Sequence, residues 1–213
     1  MDGLSKEMRD PFVLNPQETV SEEQRQKSKD GFVVEQVDGI NGWSGIGMMA
    51  VANTRVVRRS AALMEQNQKS YGSNFTFGEH GLFSTKRMAR LASYGSILAF
   101  LVIGTPLKYL VRPFLLKPGQ GPSQETQDKG WFRATFVAHS EDNERKICSM
   151  YGSGDPGYKS TAKMVCESAI ALARSNDLPG GSEYGGVLTS AVGLGDVLIE
   201  RLKNAEIEFK VIS

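Results

Sequence analysis

The stretch 150-MYGSGDPGYKSTAKM-164 decides how the second half of the chain is interpreted. It places Gly152, Gly154 and Gly157 in G-x-G-x-x-G spacing, after a short alternating run and before a helical pattern. Lys159 and Ser160 follow, so the stretch also comes close to a phosphate-binding P-loop. The pattern raises the question of whether a nucleotide binds here or the glycines only form a turn.

The residues around the glycines favour a turn. A dinucleotide site needs a buried parallel strand before the glycines and a second strand after the helix. The preceding run carries Lys146, which is typical of an antiparallel strand, and the polar segment 176–186 follows the helix. Asp155 adds negative charge to the turn, and Tyr158 shifts Lys159 away from its P-loop position. We therefore interpret the glycines as a hairpin exit followed by a helix start, where free amides still favour an anion.

The residues on either side of this turn predict an α/β module over 131–213. The runs 131–140 and 145–152 alternate apolar and polar residues and predict an antiparallel hairpin. A helix is predicted over 160–174, a second one in 193–206, and a strand at 207–213. The predicted buried face of the first helix consists of Ala162, Val165, Cys166, Ala169, Ile170 and Ala173.

The chain before this module divides by composition. Residues 1–30 form a polar N-terminal arm, 31–93 a partial α/β segment, and 118–130 a linker rich in Gly, Pro and polar residues. Within 31–93, the spacing predicts a helix over 48–67 with Asn53 or Thr54 as its cap, and a strand over 71–81. The apolar runs 31–37 and 207–212 are expected to pair in a sheet begun outside this chain.

A hydrophobic segment, 94–117, separates the partial α/β segment from the linker. No charged residue occurs from Tyr94 to Leu107, and Pro106 and Pro113 interrupt the run. The uncharged run is shorter than the roughly 20 residues of a membrane-spanning helix. A buried core helix, a monotopic anchor with snorkelling Lys and Arg, and a complete span all remain open at this point. We predict a membrane-associating segment.

Overall composition excludes several classes of function. A net charge of +1 gives no basic face for nucleic acid. Cys148, Cys166, His80 and His139 have no metal-ligand spacing, so no metal is expected. The N-terminus has no secretory signal pattern, which favours a cytoplasmic protein. No catalytic triad or paired-carboxylate site can be assembled, so the catalytic residues are unassigned.

The module at 131–213 resembles the end of the saccharopine dehydrogenase-like oxidoreductases. That family includes trans-acting enoyl reductases and an animal relative associated with lipid droplets. Its order is G-Y-x-x-T, a helix, a G-G-V-x-T/S loop, a helix ending in R-L, and a final I-E-F-x-V-I strand. The matching residues here are Gly157, Tyr158, Thr161, Gly185, Gly186, Val187, Thr189, Arg201, Leu202 and Ile207 to Ile212. The likeness runs from about Val51 to the end, including the "VVRRS" at 56–60.

The resemblance implies NADP(H)-dependent reduction in lipid-related metabolism for full-length relatives. The family carries its nucleotide-binding Rossmann half at the N-terminus, and this sequence resembles only the portion C-terminal to that half. We therefore expect an α+β fold, with a mixed or antiparallel sheet, packed helices and a membrane-associating segment, and with the Rossmann half absent. No cofactor is expected to bind this chain alone.

Two functions are implied by the resemblance and the hydrophobic segment. The chain is either the substrate- and membrane-associating portion of a reductase, inactive alone, or a non-catalytic protein of lipid-droplet or membrane surfaces. Its expected partners are such a surface, a Rossmann half in the same or another chain, or a second copy, and its location is the cytoplasmic face. Candidate contacts are Tyr158, Lys159 and Thr161 for an anion, and Arg58 and Arg59 for substrate.

Overall fold

The structure is a computed structural model that describes residues 10–16, 20–28, 31–72, 74–114, 119–174, 176, 178–179 and 185–212. The chain divides into two compact units, Met1–Leu115 and Leu116–Ser213. The predictions for the N-terminal arm, the end of the hydrophobic segment and the loop at 180–184 fall partly or wholly outside the described residues. The predicted fold class is confirmed as α+β, with small antiparallel sheets and packed helices.

The first unit contains a two-stranded antiparallel sheet and a series of helices. Strands β1 and β2 pair from Trp43↔Phe83 to Ile46↔His80. The elements are α1 (Glu22–Lys27), β1 (Trp43–Ile46), α2 (Ala50–Gln66), β2 (His80–Phe83), α3 (Lys86–Gly104), α4 (Lys108–Val111) and a 3₁₀ turn (Arg112–Phe114).

Two local predictions in this unit are wrong. Helix α2 begins at Ala50, with Met49 at its cap, and the Thr54 hydroxyl instead donates to the Ala50 carbonyl inside the helix. The strand predicted near Phe75 and Phe77 lies further along the chain, at His80–Phe83. The reason is that His80–Phe83 are the residues that lie opposite β1. A period-two pattern indicates an extended chain but does not choose its partner.

Helix α3 packs one narrow face on β1. Its buried residues are Ala89 and Ser93, and the Ser93 hydroxyl accepts a hydrogen bond of 2.9 Å from the Ile46 amide. A Cβ on Gly45 would lie 2.9 Å from the Ser93 hydroxyl oxygen, so the glycine permits this close approach. The remaining surface of α3 stays exposed, which matters for the hydrophobic segment below.

The second unit is a three-stranded antiparallel sheet with two long helices, the second of which is kinked at Gly195. The strand order is β3-β4-β5, and β4 pairs with both neighbours. The predicted hairpin is therefore confirmed. A short helix occupies part of the predicted linker. The elements are α5 (Gln124–Lys129), β3 (Trp131–His139), β4 (Arg145–Ser153), α6 (Lys159–Ala173), α7 (Ser190–Asn204) and β5 (Ile207–Val211).

The apolar runs 31–37 and 207–212 have pairing partners within this chain, which corrects the expectation that their sheet begins outside it. Strand β5 pairs with β4 from Gly152↔Ile207 to Cys148↔Val211. In the first unit, the run at 31–37 joins β1 through a single bridge, Gln36↔Trp43. The pairing with β4 satisfies backbone groups on one side of β5, which remains an edge strand of the described sheet.

Helices α6 and α7 pack antiparallel through polar side chains of α6. Glu167 forms an ion pair of 2.6 Å with Arg201, and the Lys163 amine donates to the Ala205 carbonyl at 2.7 Å. These contacts are four residues apart on each helix and run in opposite directions. Ser160 is also buried on this side.

The predicted buried face of α6 therefore points outward. Its exposed apolar residues, which we call the outer strip, are Ala162, Val165, Cys166, Ala169, Ile170, Leu172 and Ala173. The sequence pattern gives the correct helix and the wrong inner side. The reason is that Lys163 and Glu167 have partners on α7, and these polar contacts orient the helix.

Candidate functional site

The glycine-rich turn between β4 and α6 is held by protein carbonyls. The Gly154 amide donates to the Gly130 carbonyl at 2.7 Å, and the Asp155 amide donates to the Gln127 carbonyl at 2.8 Å. In a phosphate-binding loop such amides point at the ligand. Here they bind the end of α5, which lies in the segment predicted as a linker. The turn therefore does not fit a dinucleotide.

Ser160 secures the start of α6 from beneath the turn. Its hydroxyl lies 3.0 Å from the Ser153 carbonyl and 3.0 Å from the Gly154 carbonyl, and its amide donates to the Asp155 carbonyl. The side chain is fully buried. Sequence reasoning passed over this residue except as part of a P-loop-like pattern. The available signal was a serine in the first turn of a helix that follows a glycine-rich turn.

The three candidate anion contacts lie together at the α6 start, and two already have partners. The Lys159 amine pairs with the Asp128 carboxylate at 2.6 Å, and the Thr161 hydroxyl donates to the Pro156 carbonyl. Tyr158 is half exposed, and its ring lies against Gly121. An anion at this helix start would have to compete with the Asp128 carboxylate for Lys159. The predicted anion contact stays a prediction.

The Lys159 pair changes the acid–base behaviour of Asp128. Hydrogen bonds from Lys159 and then from Gln124 hold the pKa of Asp128 below its usual range. Both members of the pair are nearly half exposed, so solvent and salt screen the interaction. The pair clasps α5 to the start of α6 and partly neutralises Lys159.

The two candidate substrate arginines lie on α2 in the first unit. Arg58 is only 5% exposed, and its guanidinium donates to the Pro11 and Phe77 carbonyls at 3.1 Å each. The same group lies over the Phe12 ring at 5.3 Å. Arg59 donates to the Leu14 carbonyl. These contacts hold the segments before and after α2 against the helix, and a substrate role stays a prediction.

A small pocket lies beside Arg58. It has a volume of about 30 Å³ and is lined in part by Phe12, Ala62, Tyr71 and Phe75. That volume accommodates about one water molecule, whereas small-molecule sites typically measure roughly 300 to 1,000 Å³. The pocket as it stands does not fit a nicotinamide cofactor or an acyl chain.

A second acidic contact supports the chain beside Phe12. The Arg25 guanidinium donates to both oxygens of the Asp10 carboxylate at 2.9 and 3.0 Å. Burial raises the pKa of Asp10, but the Phe12 amide and Arg25 outweigh this effect and leave the pKa below its usual range. Arg25 also lies 5.7 Å from the Phe12 ring centroid. This cluster is an anchoring arrangement around Phe12.

Helix α3 has the most extended apolar surface of the first unit. Within the described residues it is the one helix long and apolar enough to cross a membrane, and 11% of its most apolar window is buried. Length and composition alone are weak evidence for a span. Most of this window is therefore exposed within the described part of the chain. The exposed apolar side chains include Leu91, Tyr94, Leu98, Phe100, Leu101 and Ile103.

No group of three His, Cys, Asp or Glu side chains in the described part of the chain could hold a metal ion. Cys148 and Cys166 are free thiols, and Cys166 is exposed on the outer strip. The described residues thus show local anchoring contacts and two exposed apolar helix faces. They do not assemble a catalytic arrangement of acid, base and nucleophile.

Comparison with known proteins identifies relatives of one kind. A Mycobacterium tuberculosis protein named provisionally as a trans-acting enoyl reductase is 30% identical over 218 residues, covering 96% of this chain and 50% of that protein. The Mycobacterium bovis trans-acting enoyl reductase is 33% identical over 172 residues, 76% of this chain and 40% of that protein. A Mycobacterium ulcerans trans-acting enoyl reductase is 34% identical over 75% of this chain.

No family model and no solved structure matches the chain. The saccharopine dehydrogenase-like family therefore stays a prediction, although the enoyl reductases named within that resemblance are found as relatives. The chain spans about half the length of the curated relatives that it matches. It is related by sequence to proteins named trans-acting enoyl reductases.

Proposed function

We propose that this chain is the C-terminal, substrate- and membrane-associating portion of a saccharopine dehydrogenase-like oxidoreductase of lipid-related metabolism. The observation that carries the proposal is the match of nearly the whole chain to half of a protein named as an enoyl reductase. NADP(H) is the reductant proposed for the complete enzyme. Enoyl reduction adds a hydride and a proton across a carbon–carbon double bond.

The cofactor is assigned to a nucleotide-binding half, in the same polypeptide or in another chain. The amides of the glycine-rich turn are bound to Gly130 and Gln127, and the pocket beside Arg58 is too small for a dinucleotide. Neither the glycine-rich turn nor this pocket therefore fits the cofactor. On this proposal the chain alone is inactive, and its own contribution is to position substrate and to associate with a lipid surface.

The test combines the chain with the half of the M. tuberculosis relative that it does not match. NADPH fluorescence is titrated with the chain, with that half and with a mixture, and enoyl reduction is followed by the loss of NADPH absorbance. We expect neither cofactor binding nor activity for the chain alone, and both for the mixture. Cofactor binding by the isolated chain, or a mixture in which the chain adds nothing, would contradict the proposal.

Association with the cytoplasmic face of membranes or lipid droplets is a second part of the proposal. It is supported by the exposed apolar surface of α3, by the basic residues Lys86, Arg87 and Arg90 at its start, and by Lys108 and Arg112 after it. A helix of 19 residues extends about 28 Å, close to the thickness of a bilayer core. This pattern also suits an anchor that lies in the interface.

Vesicle flotation tests this association and also the alternative function. We expect the chain to float with phosphatidylcholine vesicles containing anionic lipid, and the Leu98→Glu, Leu101→Glu double variant to stay at the bottom of the gradient. The matched control is Met48→Glu, Met49→Glu, which changes two exposed apolar residues outside α3. Flotation of the α3 variant would refute the anchor. Flotation of the wild type without activity in the mixture would favour a non-catalytic surface-binding protein.

A further inference from the structure

Among the described residues of the second unit, the outer strip of α6 faces away from the elements that pack on this helix. Val165 is 61% exposed and Leu172 is 60% exposed, while Ser160 and Ala171 on the opposite side are buried. A helix on the surface of a globular protein normally turns its charged side to water. Helix α6 does the reverse, because Lys163 and Glu167 contact α7.

The outer strip is also free of charge along the whole helix. The positively charged Lys159 and Lys163 and the negatively charged Glu167 lie outside it and are each engaged in an ion pair. Four of its seven members are Ala or Cys, so the strip is shallow and lets another backbone approach closely. These properties are those of a helix inside a layered fold with a further layer on top.

We propose that the outer strip of α6 is the docking surface for the nucleotide-binding half of the reductase. This inference rests on the proposed function. The relatives supply the reason for this occupant, since a match of 218 residues covers only 50% of the M. tuberculosis protein. About 200 further residues, which we take as the nucleotide-binding half, therefore accompany the matched region in that relative. A partner of that size is large enough to cover an apolar helix face. The outer strip alone has fewer residues than the roughly 20–30 per side of a specific interface.

A membrane surface fits the strip less well than a protein domain. Helices that bind lipid surfaces pair a broad apolar face with a basic face exposed to the headgroups. The charged side chains of α6 instead form ion pairs and hydrogen bonds with α5 and α7. The shallow, uncharged strip matches an apolar helix or sheet face of a folded partner.

Cys166 provides a probe within the strip. In a Cys148→Ser background it is the one thiol of the chain, and it is exposed. Its rate of maleimide labelling is measured for the chain alone, for the chain with the unmatched half of the M. tuberculosis relative, and for the chain with phosphatidylcholine vesicles. We expect fast labelling alone and with vesicles, and labelling slowed about tenfold or more by the unmatched half.

Three variants connect the protection to the strip. Ala169→Asp places a carboxylate on the strip and is expected to weaken binding of the unmatched half about tenfold or more, since the charge loses water on docking. Ala169→Ser keeps the site small and is expected to retain binding. Val187→Asp, at an exposed apolar residue outside α6, is the matched control and retains binding. Circular dichroism verifies that each variant is folded.

Four labelling results would overturn the inference, and one activity result would do so as well. The labelling results are slow labelling of Cys166 in the chain alone, protection by vesicles, no protection by the unmatched half, and equal protection in Ala169→Asp. The first would indicate a strip covered within the chain or by a second copy, which light scattering distinguishes. Reductase activity that survives Ala169→Asp rejects this docking surface but leaves the proposed function intact. Protection of Cys166 without NADPH binding or activity supports the docking surface but rejects the proposed function.

Discussion

Replacing Gly152 by Ala tests whether the glycine pattern serves packing. Gly152 lies on the central strand between two apolar neighbours. A Cβ at this position would lie 2.3 Å from a ring carbon of Phe132 and 2.9 Å from the terminal methyl of Ile207. Ile207 is 1% exposed, so it has little room to move.

The magnitude is the balance of two opposing effects. Overpacking a core costs about 1–3 kcal/mol. Restricting the unfolded chain by a Gly→Ala change offsets about 0.4–1 kcal/mol of that cost. We therefore expect Gly152→Ala to lower the free energy of unfolding by about 1–2 kcal/mol. For a domain of this size that corresponds to a fall in Tm of about 5 °C or more.

The assay uses the position of the two tryptophans. Trp43 belongs to the first unit and Trp131 to the second, so a Trp43→Phe background reports on the unit that contains Gly152. Thermal and urea unfolding are followed by Trp131 fluorescence. Gly193→Ala is the matched control, because its Cβ would meet only Leu188, at 3.6 Å. Gly193 lies in the short part of α7 before its kink at Gly195, so Gly193→Ala is expected to stabilise the unit by at most about 0.5–1 kcal/mol.

The reasoning is refuted if Gly152→Ala unfolds at the wild-type temperature. It is also refuted if Gly152→Ala and Gly193→Ala shift the transition in the same direction. A site for phosphate would give a different signature, since the variant would lose NADPH or phosphate binding at unchanged stability.

Three further predictions concern the anchoring contacts. Arg58→Met is expected to lower the stability of the first unit by about 2–4 kcal/mol, because the partly buried Pro11 and Phe77 carbonyls lose their donor, whereas Arg59→Met costs less than about 1 kcal/mol. Urea unfolding followed by Trp43 fluorescence in a Trp131→Phe background checks this order, and the reverse order would contradict it. A double-mutant cycle on Glu167 and Arg201 is expected to give a coupling energy of about 1–3 kcal/mol, against less than about 0.5 kcal/mol for the exposed pair Glu200–Lys203. Equal coupling energies would contradict the partial burial of the Glu167–Arg201 pair. Carboxyl NMR titration is expected to place the pKa of Asp128 below its ordinary value of 3.8, so that its contribution to stability is present above that pH and is lost as the pH falls through the folded-state pKa. Lys159→Gln is expected to raise this pKa and the control Lys129→Gln to leave it unchanged, and a pKa insensitive to Lys159 would refute the pairing.

The second unit shows how far sequence patterns reach. Alternation around the turn at 141–144 correctly predicted the hairpin of β3 and β4, because strand periodicity and turn residues are local properties. Helical spacing likewise predicted α6 within one residue at each end. The context of the glycines correctly indicated a turn, and the structure adds that carbonyls of α5 and Gly130 bind its amides.

The orientation of elements could not be predicted from local patterns. The apolar face of α6 was expected to be buried, yet Lys163 and Glu167 face α7 because their partners lie some 40 and 34 residues further along the chain. Arg58 is predicted as a substrate contact, yet the structure buries it. Its burial depends on the distant carbonyls of Pro11 and Phe77. Long-range polar partners are invisible to periodicity.

The reversed polarity of α6 makes ionic strength act on its two sides in opposite directions. Dissolved salt screens the partly exposed Lys163–Glu206 pair and weakens the cohesion of α6 with α7. Strongly hydrated salts such as sulfate also drive exposed apolar surface out of water, which favours burial of the outer strip. A sulfate buffer therefore weakens the ion pair on the inner side of α6 and favours self-association through the apolar outer strip. In ammonium sulfate the isolated chain is therefore expected to associate through the outer strip of α6.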